Sequence, residues 1–186
     1  YQVHLNALVG PSFAPLMARR LSSDGELGDT GLVPRRFDGE QRIGFGSRRW
    51  TLHLAPQHVT LADGRQVTAL PGVQDEASQF VQLAWLFNTQ PQRLAVGQAV
   101  ELPLALPRRQ DRWTYDVVGE TTLQLPFGPL PAFHLKPRRP GRAGEMTAQI
   151  WIAPTLQYLP VRILVHQDAD TFVDLVLEKP PLQALR

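Results

Sequence analysis

The chain has 186 residues and is 43% hydrophobic and 19% charged, which fits one domain with a sizeable core over residues 1–186. Its formal net charge of +2 is too small to indicate a nucleic-acid partner, because proteins that bind nucleic acids carry a concentrated positive surface. The absence of Cys excludes disulfides, thiol nucleophiles and Cys-ligated metal centres.

The N-terminal part of the chain predicts a meander of short strands. Alternating apolar residues indicate a strand over 1–9. A second strand, over 16–23, is predicted to end at a tight turn formed by Asp24 and Gly25. Two further strands are predicted over 35–42 and 50–54. Their modest apolar content indicates that one face of the sheet meets solvent.

The clearest hairpin and the one convincing helix follow each other in the middle of the chain. Residues 58–70 form two alternating arms around Asp63-Gly64, a dipeptide that tolerates the positive φ of a tight turn. A helix is predicted over 75–89, with Asp75 as its N-terminal cap. Its apolar stripe at helical spacing should pack against a sheet.

The rest of the chain predicts strand after strand, separated by Gly, Pro or charged turns. These strands are predicted over 100–106, 113–118, 121–125, 132–135, 146–152, 159–166 and 171–177. A polar, mobile loop is predicted over 136–145. The connections are too short for crossover helices, so the strands should pair antiparallel.

Together these elements predict an all-β fold. We expect a strongly curved antiparallel sheet, or a half-open barrel, of roughly ten strands. The single helix is expected on the concave side of this sheet, because its apolar stripe needs a partner surface.

Several catalytic signatures are absent from the sequence. Neither G-x-S-x-G, G-x-x-x-x-G-K nor G-x-G-x-x-G occurs, which argues against serine hydrolysis, phosphoryl transfer and nicotinamide chemistry. The five His residues are dispersed over different predicted strands, so no metal site is expected. An enzyme acting on envelope polysaccharide would need two facing carboxylates, an arrangement that the sequence leaves open. We therefore expect a protein without catalytic residues or cofactors.

Arginine pairs are the most distinctive polar feature. They occur at 19–20, 35–36, 48–49, 108–109 and 138–139. Adjacent residues of a strand point to opposite faces, so each pair places one guanidinium on either side of a sheet. The pairs either contact anions, such as lipid headgroups or cell-wall polymers, or protect sheet edges and keep the protein soluble.

Aromatic residues supply the candidate ligand-binding set. In a curved sheet they could line an apolar cavity, and the alternative is that they fill the core. The predicted binding residues are Phe80, Trp85, Phe87, Trp113, Tyr115, Trp151 and Tyr158.

Four segments of the chain carry a resemblance to a known family. They are 74–78 (QDEAS), 113–120 (WTYDVVGE), 133–135 (FHL) and 150–162 (IWIAPTLQYLPVR). With them, essentially the whole chain resembles the bacterial family labelled domain of unknown function 3108. That resemblance implies an exported, periplasmic protein and offers no catalytic residues. Some relatives carry an N-terminal membrane anchor and a proline-rich linker, and membrane contact would be expected only through such a segment before Tyr1.

The strand–turn–strand over 150–162 is also similar, more weakly, to that of periplasmic lipoprotein carriers of the LolA and LolB kind. Those carriers are incomplete barrels closed by helices around an apolar pocket, whereas this sequence predicts one helix. The apolar helix facing a curved sheet, together with the weak resemblance to these carriers, leads us to expect a non-enzymatic periplasmic binding domain for an amphipathic ligand, such as a lipid or a cell-envelope polymer. The alternative is a module that binds an envelope protein during assembly.

Overall fold

The computed structural model describes residues 1–9, 17–44, 46–139, 146–166 and 171–182. Most of these residues lie in strands, and they include one α-helix. Every strand pair whose register is described is antiparallel. The predicted mainly β, antiparallel fold with a single helix is therefore confirmed, with the strands divided between two sheets.

Each sheet is a meander in which a strand pairs with its neighbours in the chain. The first sheet consists of β1 (Gln2–Val9), β2 (Met17–Gly28), β3 (Gly31–Ile43), β4 (Gly46–Leu54), β5 (His58–Thr60) and β6 (Gln66–Thr68). The second sheet consists of β7 (Ala99–Leu106), β8 (Arg109–Leu125), β9 (Gly128–Pro137), β10 (Thr147–Ala153), β11 (Leu159–His166) and β12 (Phe172–Val176). The short connections predicted between the strands explain this simple order.

The turn predicted at Asp24 and Gly25 is wrong, because β2 continues through both residues to Gly28. The register with β3 shifts between them, which marks a β-bulge. A Cβ on Gly25 would overlap the carbonyl oxygen of Val33, so the glycine permits a close backbone approach. The Asp63-Gly64 hairpin, by contrast, is confirmed between β5 and β6.

Two strands predicted separately, over 113–118 and 121–125, are one long strand, β8. Its register with β9 shifts between Val117 and Gly119, so glycine again lies at an irregularity rather than at a turn. In the predicted loop over 136–145, Lys136 and Pro137 end β9, and residues 140–145 lie outside the described part.

The helix α1 (Ser78–Thr89) begins three residues after its predicted cap. Asp75 nevertheless acts as that cap, since its Oδ1 accepts hydrogen bonds from the backbone N–H groups of Ala77 (2.9 Å) and Ser78 (2.8 Å). In return, the hydroxyl of Ser78 accepts from the N–H of Asp75 at 2.9 Å. Within the described residues, no helix has the length and apolar character required to cross a membrane.

The chain divides into two compact units, one formed by Tyr1–Gln82 and Leu102–Arg112 and the other by Leu83–Glu101 and Trp113–Arg186. The core of the first unit is built from Phe37, Trp50, Leu52, Leu54, Val59, Leu61, Ala77 and Ala105. A cluster in the second unit contains Leu123, Leu125, Ala132, Trp151, Ala153 and Val161. That residues 1–186 fold as one domain stays a prediction.

Candidate functional site

The candidate site is the outer face of the first sheet, the face turned away from the core of the first unit. Val3, Leu5 and Leu21 pack against that core. Because successive strand residues point to opposite faces, their even-numbered neighbours on β1 and β2 lie on the outer face. We call this surface the outer face of the first sheet.

Strand register arranges the outer face in rows across β1, β2, β3 and β4. The three central rows are His4–Ser22–Asp38–Thr51, Asn6–Arg20–Glu40–Arg49 and Leu8–Ala18–Arg42–Ser47. The first two rows are polar throughout. The third begins with two apolar residues, so polarity changes along the strands as well as across them.

The described residues form two depressions on this face. One, of about 370 Å³, is lined by Leu8, Ala18, Arg20, Glu40, Arg42, Gly44, Gly46 and Ser47. The other, of about 440 Å³, is lined by His4, Asn6, Arg20, Leu21, Ser22, Asp38, Gly39, Glu40, Arg49, Trp50 and Thr51. Both volumes are in the range of small-molecule sites. Arg20 and Glu40 line both depressions, so we treat the two as one groove.

Glu40 forms ion pairs with two of the three arginines that line the groove. Arg49 donates a hydrogen bond to its Oε1 at 3.2 Å, Arg42 approaches the same oxygen at 3.5 Å, and Ser47 donates at 3.4 Å. The hydrogen bond from Arg49 lowers the pKa of Glu40. Glu40 is therefore ionised at neutral pH, and its charge is already compensated.

Asp38, in the neighbouring polar row, also accepts hydrogen bonds from nearby side chains. Arg36 donates to both of its oxygens, at 2.7 and 3.1 Å, and Thr51 donates to Oδ1 at 2.6 Å. The hydrogen bond from Arg36 lowers the pKa of Asp38. This carboxylate is thus a fixed part of the surface rather than a proton donor at neutral pH.

Arg20 differs from these arginines. Among the described residues, its side chain makes no hydrogen bond or ion pair, although Glu40 lies opposite it in the strand register. Its neighbour Arg19 points the other way, pairs with Glu76 at 2.8 Å and lies 5.3 Å over the Trp50 ring. The Arg-Arg pair at 19–20 therefore places one guanidinium on each face, as predicted.

Nucleophilic catalysis finds no support in this geometry. The Nδ1 of His4 lies 3.0 Å from the hydroxyl of Ser22, a separation that alone would suit a base and a nucleophile. A catalytic relay also needs a group that orients the base. The nearest carboxylate in the row, Asp38, is held by Arg36 and Thr51 instead. In the part of the chain that the structure describes, no cluster of His, Asp and Glu could hold a metal ion.

The seven predicted ligand-binding aromatics lie elsewhere and do not line the groove. Phe87, Trp113, Tyr115 and Trp151 are at most 6% exposed. The other three are half-buried: Phe80, Trp85 and Tyr158. Phe87 and Tyr158 meet with their ring centroids 6.4 Å apart. That these residues contact a ligand stays a prediction.

Arginines cover two of these tryptophans. Arg139 lies 4.8 Å over the ring of Trp113, and Arg162 lies 4.6 Å over that of Trp151. Arg162 is held there by Asp174, to which it donates hydrogen bonds at 2.8 and 2.7 Å. Such cation–π contacts stabilise the native packing and occupy the ring faces that a ligand would need.

A buried polar cluster marks the start of the helix. The hydroxyl of Ser23 donates to Asp75 at 2.6 Å and lies 3.2 Å from the hydroxyl of Tyr1. Burial raises the pKa of Asp75, and burial also raises the pKa of Tyr1 to about 12. Gln74 is buried beside them and donates to the carbonyl oxygen of Leu32 at 2.9 Å. The QDEAS segment thus fastens α1 to the first sheet, which is a structural role.

His134 predicts a pH dependence of stability in the second unit. Its ring stacks on Trp151 with the ring centroids 4.0 Å apart. Burial lowers the pKa of His134 below 6.5, and the positive charges of Lys136 and Arg162 lower it further. A hydrogen bond to Gln149 acts in the opposite direction and raises the pKa. The unfolded chain therefore binds a proton at higher pH than the folded protein. The free energy of unfolding should fall as the pH falls from about 6.5 towards the pKa of the folded state.

Urea unfolding between about pH 5 and 7.5 measures this dependence, and the substitution His134→Gln should flatten it. An NMR titration of the imidazole reports the pKa directly. A midpoint at or above 6.5, the ordinary value, would contradict the interpretation.

The comparison with protein families agrees with the first of the two sequence resemblances. Residues 8–176 match the family described as "Protein of unknown function (DUF3108)". No match was found among curated proteins, and the weaker similarity to lipoprotein carriers is not confirmed. A crystal structure of a DUF1089 family protein from Pseudomonas aeruginosa is similar at a TM-score of 0.45 and 14% identity, over 85% of this chain and 79% of that one. The matched region covers most of the sequence, and the chain therefore belongs to the DUF3108 family.

Proposed function

We propose that this chain is a non-enzymatic binding domain for an amphipathic ligand, a lipid or another cell-envelope component, and that it binds this ligand in the groove on the outer face of the first sheet. The proposal rests on the mixed character of the groove. Guanidinium groups, hydroxyls and an amide line its polar rows, and Leu8 and Ala18 line its apolar end.

The apolar end is the observation that carries the proposal. Leu8 is 62% exposed although it belongs to a regular strand, and it lies beside Ala18 in the same row. An exposed apolar end joined to a charged row offers both kinds of surface to one molecule. A purely polar ligand would leave Leu8 in water, and a purely apolar one would bury the guanidinium of Arg20 without a partner.

A periplasmic location is part of the proposal. Its support is the resemblance to exported members of the family. Cell fractionation of the host, with the chain followed by an antibody, tests it. Recovery with the cytoplasmic fraction would contradict it.

Leu8→Gln tests the groove itself. The substitution should weaken the binding of dodecyl phosphate about 5- to 10-fold, because a buried contact of roughly 50 Å² is lost at ~25 cal/mol/Å². Isothermal titration calorimetry below the micelle-forming concentration measures the change.

Leu27→Gln is the matched control, since Leu27 is also exposed on a strand of this sheet, at 68%, and does not line the groove. Equal losses in both variants would contradict the site. A wild-type protein that binds no amphiphile, and that carries none in native mass spectrometry after purification from its host, would overturn the proposed function.

A protein-interaction module in envelope assembly is the second candidate. It is favoured by β12, the last strand in the described order of the second sheet, whose Phe172 is 58% and Val176 44% exposed. Such an edge can take up a strand from a partner. Val176→Lys should abolish a complex formed in this way, and a complex that is unaffected by it would count against this candidate.

A further inference from the structure

We infer that Arg20 is the anion-binding residue of the groove and that the ligand's polar end is a phosphate group. This inference rests on the proposed function, because it assigns the chemistry of the ligand at that same site. It adds a specificity-determining residue and a direction of binding.

The charges in the groove single out Arg20. Arg42 and Arg49 share the carboxylate of Glu40. Arg20 alone, among the arginines that line the two depressions, has no ion pair or side-chain hydrogen bond with any described residue. An exposed guanidinium with five unused donors, at the junction of two depressions, is ready for an external anion.

The neighbours of Arg20 add further donors. Asn6 lies opposite Arg20 on β1, and Ser22 lies two residues along β2 on the same face. Both line the same depression as Arg20. A guanidinium fork, an amide and a hydroxyl together suit the several oxygens of a phosphate better than a neutral headgroup, which would leave the guanidinium unpaired.

The carboxylates do not oppose this assignment. Glu40 interacts with two guanidinium groups, and Asp38 accepts a bidentate pair from Arg36. Compensated carboxylates repel an incoming anion weakly. Three arginines against two carboxylates line the groove, so its net charge is positive, and Arg20 carries the guanidinium that no described carboxylate pairs with.

The order of the rows also predicts how the ligand is oriented along the strands. Leu8 is two residues from Asn6 on β1, and Ala18 is two residues from Arg20 on β2. Two residues of a strand span about 7 Å. A phosphate bound at Arg20 would therefore place the first carbons of an alkyl chain against Leu8 and Ala18.

The experiment compares three probes by isothermal titration calorimetry: dodecyl phosphate, dodecyl maltoside and inorganic phosphate. We expect the wild-type protein to bind dodecyl phosphate at least about 10-fold more tightly than dodecyl maltoside, the effect of a charge-assisted hydrogen-bond pair. Arg20→Gln should remove this preference by weakening the binding of dodecyl phosphate. Arg20→Lys should restore part of it, because an ammonium keeps the charge and loses the fork.

Arg48→Gln is the matched control. Arg48 is an exposed arginine on β4 that lies opposite Gln41 in the strand register. It points to the opposite face of the sheet from Arg49 and does not line the groove. It should keep the wild-type preference for dodecyl phosphate.

The outcomes separate the two proposals. Equal affinities of the wild type for both dodecyl compounds, or a preference that persists in Arg20→Gln, would overturn the inference while the amphipathic site stands. Inorganic phosphate that binds as tightly as dodecyl phosphate, and is lost in Arg20→Gln, would support the anion site and overturn the amphipathic ligand. No binding of any probe would overturn both.

Discussion

Replacement of Asp75 by Ala is expected to lower the free energy of unfolding by about 3 kcal/mol, from a lost helix cap and an unpaired buried hydroxyl. The Asp75 side chain accepts hydrogen bonds from Ala77 and Ser78 at the start of α1 and from the buried Ser23 on β2. Alanine leaves all three donors without this acceptor. Urea unfolding followed by circular dichroism measures the loss.

Asp75→Asn is the informative control. Asparagine keeps one oxygen for the backbone N–H groups and caps helices about as well as Asp, so it should lose less than Asp75→Ala. Ser78→Ala should remove only the returning bond to the N–H of Asp75. A loss below about 1 kcal/mol in Asp75→Ala, the size of a surface cap alone, would contradict the role of Ser23.

Elements fixed by neighbouring residues could be predicted from the sequence. The Asp63-Gly64 hairpin and the Asp75 cap both depend on contacts within a few residues, and the structure has both. The Asp24-Gly25 turn was wrong for the converse reason. Gly25 lies at a bulge, where its missing side chain rather than a positive φ matters, because the backbone of Val33 on the partner strand approaches it closely.

The groove could be predicted only in part. The Arg-Arg pairs at 19–20 and 48–49 mark residues that must face both sides of a strand, and Arg20 and Arg49 do line the groove. Their meeting with Glu40 depends on the register between β2, β3 and β4. A slip of one residue would turn each side chain to the other face. The register of β2 with β3 is set by the two-residue connection between Gly28 and Gly31, whereas the sequence pattern predicted the turn at Asp24 and Gly25.

The aromatic residues illustrate a second limit. Composition marks Trp113 and Trp151 as candidates for a cavity, because large apolar rings line many ligand sites. In the structure, Arg139 and Arg162 lie over these rings. The pairing with Arg162 follows from the register of β10 and β11 across the strand–turn–strand, which no periodicity in one strand could reveal.

A second large effect is expected at Gly39, where any side chain meets the core. Gly39 lies opposite Trp50 on β3 and β4, and a Cβ built on it would overlap the indole ring. We expect Gly39→Ala to lower the free energy of unfolding by about 3 kcal/mol, because the rigid ring must move and loses its contact with Arg19. Thermal and urea unfolding measure the loss.

Gly119→Ala is the matched control, since Gly119 is also a strand glycine and a Cβ there would meet nothing within 4 Å. It should change the free energy of unfolding by less than about 0.5 kcal/mol.

Trp50→Leu combined with Gly39→Ala should lower the free energy of unfolding by less than the sum of the two single substitutions, because a smaller side chain makes room for the new methyl group. Additive losses would show that Gly39 acts through the backbone alone. A combined loss smaller than the sum would show that the missing side chain of Gly39 lets Trp50 pack against β3. Both residues line the polar depression that contains Arg20.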